Sequence, residues 1–577
     1  MNRSVIRSRA LLGLTAAAAI LTAAACSSSG SSSPGTGSSS SSSGTSGMGT
    51  KTLVVESTQQ SPIADTFNPF NNNAGCGQMH CTDLIYEPLF FFNVLKLSLA
   101  PSDNLLGTGF TWSNGNKTLT VTTRSGVKWS DGQAFSAADV AFTFNLLKKG
   151  VPSTTGAPAP VSATSSGPNT AVLTFAQPEV ANLFQIGTQP IVSQHVWQSV
   201  SDPANYADTH PVGTGPYVLD TFSPQGILLK ANPTYWNKSS VHVPKVDFPG
   251  YTSGTAAQTA LTSGQIDWAG NDISNVQNVW VGANPATNHT WFNSAPYVNA
   301  NNVATLWLNV TKAPLNDPKV RQAISYAINR NQLSAQGETG YELPATSSSG
   351  LLLPLDQPLL APQYANDLPS AGDANKAASI LTSDGYAKVG GKWMKNGKPL
   401  SFSIEDPIGF TDYYTDAGLI STQLNAQGFQ VKVNGIGQPA DWFNDAANGT
   451  FDAMLHWSNN GNSPFDYLAN WMDYGTSAPI GKAAAGDYGR FNSPQAQAAL
   501  AQYTASTDPA AQQSALNTLE TIESTQMPAI PLLYGAAWAE WSSKNYVGWP
   551  SESNAYSDPG PNISEVEYVI LHLKPAS

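Results

Sequence analysis

Charge is scarce in this chain of 577 residues. Only 11% of the residues are Asp, Glu, Lys or Arg, well below the share of roughly a quarter that is usual in soluble domains. The 27 basic residues are outnumbered by 39 acidic ones, which gives a formal net charge of −12. A nucleic-acid partner requires clustered basic side chains, so the composition argues against one. The apolar share of 41% is adequate for a core, and the length suffices for about two or three packed domains.

Motifs of common enzyme chemistries are also missing. The chain has no G-x-S-x-G nucleophile elbow, no H-E-x-x-H zinc motif and no Walker A loop. A secreted glycosidase would need two facing carboxylates, and nothing in the sequence selects such a pair. We therefore expect a protein that is not an enzyme and that uses no cofactor or metal.

The N-terminus carries an apolar run at residues 10–25 that is too short for a comfortable membrane span. The run follows three arginines and ends in small residues directly before Cys26. This arrangement resembles a bacterial lipoprotein signal, which implies that residues 1–25 are a signal peptide and that Cys26 becomes the lipidated N-terminus. Residues 26–50 are rich in Ser and Gly, which predicts a flexible tether.

Cysteine is rare, with three residues in the whole chain. Besides Cys26, the sequence contains Cys76 and Cys81 in the segment GCGQMHC. In an oxidising compartment this arithmetic favours one lipidated cysteine and a disulfide between Cys76 and Cys81. His80 leaves a metal site as the alternative, although three ligands in one tight loop are few for such a site.

The most informative stretch is 124–146, RSGVKWSDGQAFSAADVAFTFNL. It predicts a hairpin whose tight turn is Asp131-Gly132, because glycine tolerates a positive φ without steric cost. Ser136 then occupies a helix N-cap position, and Asp139 three residues later completes a capping-box pattern. Apolar residues follow at helical spacing, so the hairpin should lead directly into a buried helix.

The spacing R-x-G-V-x-W-x-D-G-x-x-F-x-A-x-D-V-x-F-T-F in this stretch resembles the signature of the family 5 solute-binding proteins. These are the peptide-, nickel- and oligosaccharide-binding components of ABC importers. Other segments resemble the family in the same order: D-x-x-N-P-F at 65–70, Y-E-P-L at 86–89, G-T-G-P-Y at 213–217, V-R-Q-A-I-S-Y-A-I-N-R at 320–330 and I-P-L-L-Y at 530–534. Within the helix at 320–330, Arg321 and Arg330 are expected to form structural ion pairs.

The resemblance implies an α/β protein with the two-lobe fold of the type II-like, cluster C periplasmic binding proteins, and with an extra small subdomain in the first lobe. The implied bounds are 51–95, 212–302 and 536–577 for lobe I, 96–211 for its subdomain and 303–535 for lobe II. The chain would cross between the lobes near 301–306 and 534–540, and these crossings would form a hinge.

In two-lobe binding proteins the ligand lies between the lobes, where closure expels water. The segment WSNNGNSPFDYLANWM at 457–472 occupies the place where the family's peptide binders carry W-x-A-D-Y-x-x-P. The Asp of that motif anchors the peptide's α-ammonium, and the corresponding residue here is Asn460. The resemblance and the amide and aromatic side chains of the segment predict these ligand contacts: Trp457, Asn459, Asn460, Asn462, Phe465, Tyr467 and Trp471, together with Tyr86 and Asn309.

The class of ligand has two interpretations. An amide at Asn460 would leave a buried ammonium without its counter-charge, although Asp466 is an alternative anchor. Asparagine amides and aromatic faces suit the hydroxyls and C–H faces of sugar rings, and the segment resembles the G-x-S/T-P-Y form of the family's oligosaccharide binders. We expect an oligopeptide-class solute, with an oligosaccharide such as a cello-oligosaccharide as the alternative and a secreted glycoside hydrolase as a remote one.

The resemblance also implies partners and a location. We expect an extracytoplasmic lipoprotein, anchored to the bacterial cell membrane through its lipid, that acts as a monomer and delivers solute to ABC permease subunits.

A strand is predicted at 450–457, in which His456 lacks a nearby nucleophile and is interpreted as a half-buried strand residue. An adhesive surface protein is the alternative outside transport, and the strands that join the lobes argue against it.

Overall fold

The computed structural model describes residues 47–57, 61–270, 272–353, 355–459, 461–562 and 566–577, all within the unit Gly47–Ser577. The predicted signal peptide, Cys26 and most of the predicted tether lie outside the described residues, as does Asn460. No helix in the described part of the chain combines the length and the apolarity needed to cross a bilayer.

The strands, numbered along the chain, are β1 (Thr52–Glu56), β2 (Phe90–Phe91), β3 (Asp103–Asn104), β4 (Gly107–Ser113), β5 (Thr118–Thr123), β6 (Ser162–Ser165), β7 (Thr170–Thr174), β8 (Tyr217–Ser223), β9 (Gly226–Ala231), β10 (Lys245–Pro249), β11 (Trp268–Ala269), β12 (Asn288–His289), β13 (Asn299–Leu308), β14 (Leu343–Pro344), β15 (Ala387–Val389), β16 (Lys392–Lys395), β17 (Lys398–Pro399), β18 (Ser401–Pro407), β19 (Gln430–Ile436), β20 (Ala453–Trp457), β21 (Ala529–Ala537), β22 (Glu540–Ser542), β23 (Tyr546–Val547) and β24 (Lys574–Pro575).

The α-helices are α1 (Gly75–Gln78), α2 (Thr82–Ile85), α3 (Ala137–Lys148), α4 (Leu183–Gly187), α5 (Gln194–Trp197), α6 (Gly254–Thr262), α7 (Pro318–Ala327), α8 (Arg330–Gln332), α9 (Ala374–Ser383), α10 (Thr411–Ala426), α11 (Pro439–Asn448), α12 (Pro464–Met472), α13 (Pro494–Ala505), α14 (Pro509–Gln526) and α15 (Val566–His572). A short π-helical turn, Leu333–Gly337, follows α8.

Lobe I is built on a seven-stranded sheet with the order β12-β22-β11-β1-β10-β9-β8. Its central strand β1 runs parallel to both β10 and β11. The β-branched residues Thr52, Val54 and Val55 of β1 favour the strand conformation. Segments distant in sequence thus share one sheet, with β22 supplied by the C-terminal part of the chain.

The subdomain of lobe I contains a four-stranded antiparallel sheet, β4-β5-β7-β6. The helix α3 packs against β6 and β7, and its predicted capping box is confirmed. Ser136 Oγ accepts a hydrogen bond from the Ala138 N–H at 3.3 Å, and Asp139 Oδ2 accepts one from the Ser136 N–H at 2.9 Å. The hairpin before α3 is reduced to a single bridge between Lys128 and Ala134 around a turn in which Gly132 has a φ of 91°.

Lobe II is built on a six-stranded sheet with the order β14-β21-β13-β20-β18-β19. Alternate residues of its strands enter two different apolar cores. Trp307 and Met454 belong to the core with α11, α12, α13 and α14, whereas Leu306 and Leu455 belong to the core with α7, α9 and α10. The sheet is therefore covered by helices on both faces.

The helix α7 begins as its sequence predicts, and its arginines correct one expectation. Asp317 caps the helix by accepting a hydrogen bond from the Lys319 N–H at 2.9 Å, with Pro318 in the first turn. Arg321 and Arg330 are buried and bind backbone carbonyls rather than acids. Arg330, for example, donates to the carbonyl of Pro531 at 2.8 Å. The expected ion pairs are wrong, because these guanidinium groups tie helix ends to β21 and to the end of α14.

Two long strands connect the lobes. Asn299 at the start of β13 pairs with Ala537 at the end of β21. The Asn299 side chain donates to Asp558 at 3.2 Å, and Val298 packs in the same apolar cluster as Ile273 of lobe I. The crossings thus lie near the positions predicted for the hinge, although the hinge motion and the domain bounds stay predictions.

Candidate ligand-binding site between the lobes

Strand direction decides which edge of the lobe II sheet faces lobe I. β18 and β20 run parallel, so their carboxyl ends, near Asp406 and at Trp457, lie at the same edge of the sheet. Trp457 pairs with Ala304, midway along β13, and the preceding half of β13, starting at Asn299, leads back to lobe I. Residues that follow β18 and β20 therefore face lobe I, which is the usual place of a ligand in an α/β protein.

Trp457 is half-buried at this edge, in an aromatic cluster. Its ring centroid lies 6.4 Å from that of Tyr413, 6.2 Å from that of Phe410 and 5.8 Å from that of Trp442. His456 belongs to the same cluster: it stacks on Trp442 at a centroid distance of 4.7 Å, and its ring lies 4.7 Å from that of Trp457. Burial lowers the pKa of His456 to about 4, so this residue is a neutral core residue, more buried than its sequence position predicted.

The asparagine-aromatic segment after Trp457 forms the start of α12 rather than an open loop. Ser463 caps this helix, and Asp466 completes a capping box by accepting a hydrogen bond from the Ser463 N–H at 3.2 Å. Asp466, which the sequence offered as an alternative ligand anchor, is therefore already engaged by the helix N-terminus. Burial raises the pKa of Asp466 to about 6, although the hydrogen bonds that Asp466 accepts act to lower this pKa.

The predicted ligand residues of this segment divide into two groups. Asn459 is exposed, whereas Phe465, Tyr467 and Trp471 are at most 8% exposed. Phe465 stacks on Tyr503 at a centroid distance of 5.5 Å, and the rings of the other two belong to the same lobe II core. The structure thus places Asn459 with Trp457 at the edge and the three aromatic rings in the interior. Their role in ligand binding stays a prediction.

A cavity of about 730 Å³ lies between the lobes. Lobe II contributes Asn459, Asp466 and Ala485 to its wall, and lobe I contributes most of the rest. The lobe I side combines aromatic rings with amides and hydroxyls: Phe90, Phe91, Phe92, Phe184, Tyr568, Asn68, Asn71, Asn72, Gln78 and Thr155. A wall of this mixed character suits a solute of intermediate polarity and of several residues in length.

Hydrogen bonds join the subdomain of lobe I to lobe II beside this cavity. The Gln185 amide donates to Asp466 Oδ1 at 2.6 Å, and the buried Asn462 amide donates to the Ser98 carbonyl at 2.6 Å. The Val180 N–H also donates to the Thr504 carbonyl at 3.1 Å. The two lobes are therefore in contact, as in the closed form of a two-lobe binding protein.

Four carboxyl groups of lobe II lie near Tyr413, and Asp406 lies near two of them, Asp412 and Asp416. We name the five the interlobe carboxyl cluster: Glu338, Glu342, Asp406, Asp412 and Asp416. They come from the end of the π-helical turn, the segment before β14, the end of β18 and the start of α10. Burial, followed by repulsion from Asp412 and Asp416, raises the pKa of Asp406 to about 8.

Sequence reasoning missed this cluster. The sequence signal that indicates the cluster is the spacing of Glu338 with Glu342 and of Asp412 with Asp416. Like charges four residues apart destabilise a helix, so such pairs are unexpected without another role. Gly337 allows the packing, because a Cβ at this position would lie 1.9 Å from Asp416 Oδ1.

Two predicted ligand residues lie away from the aromatic edge. Asn309 follows the carboxyl end of β13, at the opposite edge of the sheet, where its buried amide donates to the Gly449 carbonyl at 2.8 Å. Tyr86 is buried in lobe I and donates a hydrogen bond to Asp208. The structure does not bring either residue together with Trp457, and their ligand roles stay predictions.

Cys76 and Cys81 form a disulfide beside α1. Both residues are buried in the core of lobe I. No group of three or more His, Cys, Asp or Glu in the described part of the chain is arranged to hold a metal ion.

A family model, "Bacterial extracellular solute-binding proteins, family 5 Middle", matches residues 101–479. The chain belongs to this family. The match includes the 124–146 stretch, the crossing strand β13 and the aromatic edge. The two-lobe α/β fold and the family that the sequence motifs implied are confirmed.

Curated relatives agree with this assignment. The glutathione-binding protein GsiB of Salmonella typhi is 27% identical over 305 residues, which cover 49% of this chain and 53% of the relative. GsiB of Shigella flexneri is 27% identical over 345 residues, which cover 56% of this chain and 60% of the relative. The chain thus spans about half the length of the curated relatives that it matches.

Solved structures match over much more of the chain. A periplasmic oligopeptide-binding protein of an ABC transporter from Thermotoga maritima is 25% identical, with a TM-score of 0.82 over 91% of this chain and 99% of that one. A structure of the Thermotoga protein described as mannohexaose-bound has a TM-score of 0.78. The oligopeptide-binding protein AppA of Bacillus subtilis, in complex with a nonapeptide, is 18% identical with a TM-score of 0.71, which shows the shared fold.

Proposed function

We propose that this protein is the substrate-binding component of an ABC importer and that it encloses an oligopeptide-class solute between its lobes. The observation that carries the proposal is the cavity of about 730 Å³ whose wall includes residues of both lobes. A solute held there would stabilise the closed form, because it contacts lobe I and lobe II only when they are together.

The cavity wall carries side chains that can form hydrogen bonds with the backbone of a peptide and apolar contacts with its side chains. Amide side chains such as Asn71, Asn72 and Gln78 can both donate to and accept from peptide groups. The phenylalanines of β2 and its surroundings offer apolar contact for peptide side chains. The names of the relatives, a glutathione binder and an oligopeptide binder, support the same class.

An oligosaccharide is the second candidate, and one observation favours it. The Thermotoga relative carries an oligopeptide-binding name, yet one of its structures is described with mannohexaose bound. In this chain, Trp457 is half-buried at the lobe-facing edge with Asn459 exposed beside it, a pair suited to a sugar ring.

Isothermal titration calorimetry against trialanine, glutathione, mannohexaose and cellopentaose would test the proposal. We expect a peptide to bind at micromolar concentration or below, and small-angle scattering to report a smaller radius of gyration when it is bound. Binding of a sugar but of no peptide would contradict the oligopeptide class. Ligand binding without compaction would contradict closure.

Location and anchoring follow from the same proposal. Export by a signal peptide at residues 1–25 and acylation of Cys26 would hold the protein at the outer face of the bacterial membrane, where it acts as a monomer beside its permease. Cys26→Ala is expected to release the protein into the soluble fraction, and mass spectrometry of the wild type should find a diacylglyceryl group. Recovery of unmodified wild-type protein from the membrane fraction would contradict acylation.

The protein is further proposed to lack catalytic activity. Incubation with the peptide or sugar that binds should return the solute intact. Multiple turnovers with cleavage of a peptide or glycosidic bond would refute this part of the proposal.

A further inference from the structure

The interlobe carboxyl cluster has an unusual lack of partners. Four of its side chains, Glu338, Glu342, Asp406 and Asp416, are at most 3% exposed. No donor among the described residues reaches either oxygen of Asp406, Oε1 of Glu338 or Oε2 of Glu342. Burial of an ionised carboxylate without hydrogen bonds or a counter-charge is strongly unfavourable. The cluster thus has acceptor oxygens in excess of the donors that the described residues supply.

The described residues also supply no cation in an ion pair with the cluster. The lysine ion pairs of the described residues involve Asp220, Asp317, Asp384 and Asp452, all outside the cluster. The buried arginines bind backbone carbonyls elsewhere. Two backbone donors reach the cluster: Glu342 Oε1 accepts from the Ala536 N–H at 2.8 Å, and Asp412 Oδ1 accepts from the Tyr413 N–H at 2.8 Å.

The cluster lies where the lobes meet. Between Glu338 and Glu342, the Tyr341 hydroxyl accepts from the Val276 N–H of lobe I at 3.1 Å and donates to Gln277 at 2.9 Å. Asp272 of lobe I adds negative charge, because its repulsion contributes to the raised pKa values of Glu338 and Glu342. Separation of the lobes would break the Tyr341 contacts and open this region to solvent.

Aromatic rings link the cluster to the carboxyl end of β20, which faces lobe I. Burial raises the pKa of Tyr413 well above its usual value, and the negative charges of the neighbouring Glu342 and Glu338 raise it further. The Tyr413 ring in turn lies 6.4 Å from that of Trp457 at the lobe-facing edge. Carboxylates beside aromatic faces are the groups that bind organic cations.

We propose that the interlobe carboxyl cluster binds a cationic group, an ammonium or a guanidinium, of the solute that the lobes enclose. This inference rests on the proposed function and specifies its solute: the peptide carries a positive charge that enters the cluster. An organic cation brings several N–H donors to the oxygens of Glu338, Glu342 and Asp406 that lack them. A bare metal ion does not fit, since no set of three acids among the described residues has metal-holding geometry.

Before the solute binds, protons neutralise part of the charge of the cluster. Burial and mutual repulsion raise the pKa values of the cluster, that of Asp406 to about 8, so part of the cluster is protonated at neutral pH. A bound cation favours the ionised form and lowers these pKa values. Binding of a solute whose cation stays charged up to pH 8, such as a lysine side chain, therefore releases protons, and its affinity increases as the pH rises from 6 to 8.

Calorimetry with three peptides isolates the charge. N-acetyl-Ala-Lys-Ala-amide, N-acetyl-Ala-Ala-Ala-amide and free Ala-Ala-Ala-amide differ in the number and the position of their ammonium groups. We expect at least one of the two cationic peptides to bind tenfold or more tightly than the neutral one at pH 8, with a smaller ratio at pH 6. Titrations in phosphate and in Tris should differ in apparent enthalpy, because the released protons are taken up by the buffer.

Two amide substitutions identify the cluster as the cause. Asp406→Asn and Glu342→Gln keep the side-chain shape and should reduce the ratio of cationic to neutral affinity to below about threefold. Glu520→Gln is the matched control. Like Glu342, Glu520 is buried, accepts one backbone N–H, from Ala361 at 2.9 Å, and has a second oxygen without a partner among the described residues. This control should keep the full ratio, and thermal melting would verify that all three variants fold.

The outcomes separate the two proposals. Equal affinity for charged and neutral peptides, or a ratio that survives both cluster substitutions, overturns the cationic site and leaves the peptide-binding function intact. An equal loss of the ratio in Glu520→Gln also overturns the site. Failure of all three peptides to bind the folded protein, together with binding of mannohexaose or cellopentaose, overturns the oligopeptide function and the cationic site with it.

Discussion

The hydrogen bond from Gln185 to Asp466 offers a direct test of lobe closure. It joins the lobe I subdomain to lobe II over 2.6 Å, so it exists only while the lobes are together. Gln185→Ala removes this bond and leaves the capping box of α12 intact, because Ser463 and Asp466 are unchanged. The substitution should therefore destabilise the closed form without destabilising either lobe.

The structure sets the size of the effect. A hydrogen bond to a charged group contributes about 1.5–3 kcal/mol, and Asp466, with its pKa raised to about 6, is mainly ionised at pH 7.5. Gln185 Oε1 is buried and has no donor among the described residues. Its removal relieves an unfavourable burial, so we expect the lower end of this range. A loss of about 1.5 kcal/mol in the closed form corresponds to about tenfold weaker ligand binding.

Calorimetry with the peptide that binds best, at pH 7.5 and pH 5, is the assay. The effect of Gln185→Ala should decrease at pH 5, because protonation of Asp466 replaces a charge-assisted hydrogen bond by a weaker neutral one. Asn182→Ala is the matched control, since the Asn182 amide also donates to a carboxylate, that of Glu179 at 2.5 Å, but within the subdomain.

The control should leave ligand affinity within about twofold of the wild type, and both variants should melt close to the wild type without ligand. Unchanged affinity of Gln185→Ala, or an equal loss in Asn182→Ala, would refute the reasoning that this contact contributes specifically to closure.

Three further predictions concern stability. Because the pKa of Asp406 is raised to about 8 from an ordinary value near 4, the folded protein binds more protons than the unfolded chain between these values. Unfolding free energy of the ligand-free protein should thus fall as the pH rises from 5 to 8, and Asp406→Asn should reduce this slope by up to about 1.4 kcal/mol per pH unit in urea titrations; an unchanged slope would contradict the shift. Gly213→Ala should prevent folding or cost several kcal/mol, since its Cβ would lie 1.7 Å from the Ile85 carbonyl oxygen. Gly418→Ala should stabilise the protein by about 0.5–1 kcal/mol, because a Cβ at this position inside α10 meets open space. Similar melting temperatures for the two variants would be inconsistent with this packing. Ser136→Ala should cost about 1 kcal/mol through loss of the α3 cap, measured by chemical denaturation, and a neutral result would argue against the cap.

Local chemistry accounts for what the sequence determined by itself. A capping box needs only a hydroxyl and a carboxylate three residues apart, so α3 could be predicted from Ser136 and Asp139. The caps and apolar stripe of α7 are equally local, beginning at Asp317. The family motifs lie in such short segments, and their order along the chain was sufficient to predict the two-lobe fold.

The direction of each side chain in the binding segment depended on tertiary packing. The sequence shows amides and rings at 457–472, but it does not state that α12 begins inside this segment and turns Tyr467 and Trp471 into the core. The position of Asn309 also depended on tertiary structure, since strand direction places it at the far edge of the sheet from Trp457.

The interlobe carboxyl cluster is decided by tertiary structure alone. Its acids come from elements separated by more than 60 residues along the chain, Glu338 and Glu342 before β14 and Asp406 at the end of β18. Repulsion between them opposes their meeting, so no local preference predicts it. Only the packing of α10 and the π-helical turn at one sheet edge brings these carboxyl groups together, because the energy of the whole fold outweighs their repulsion.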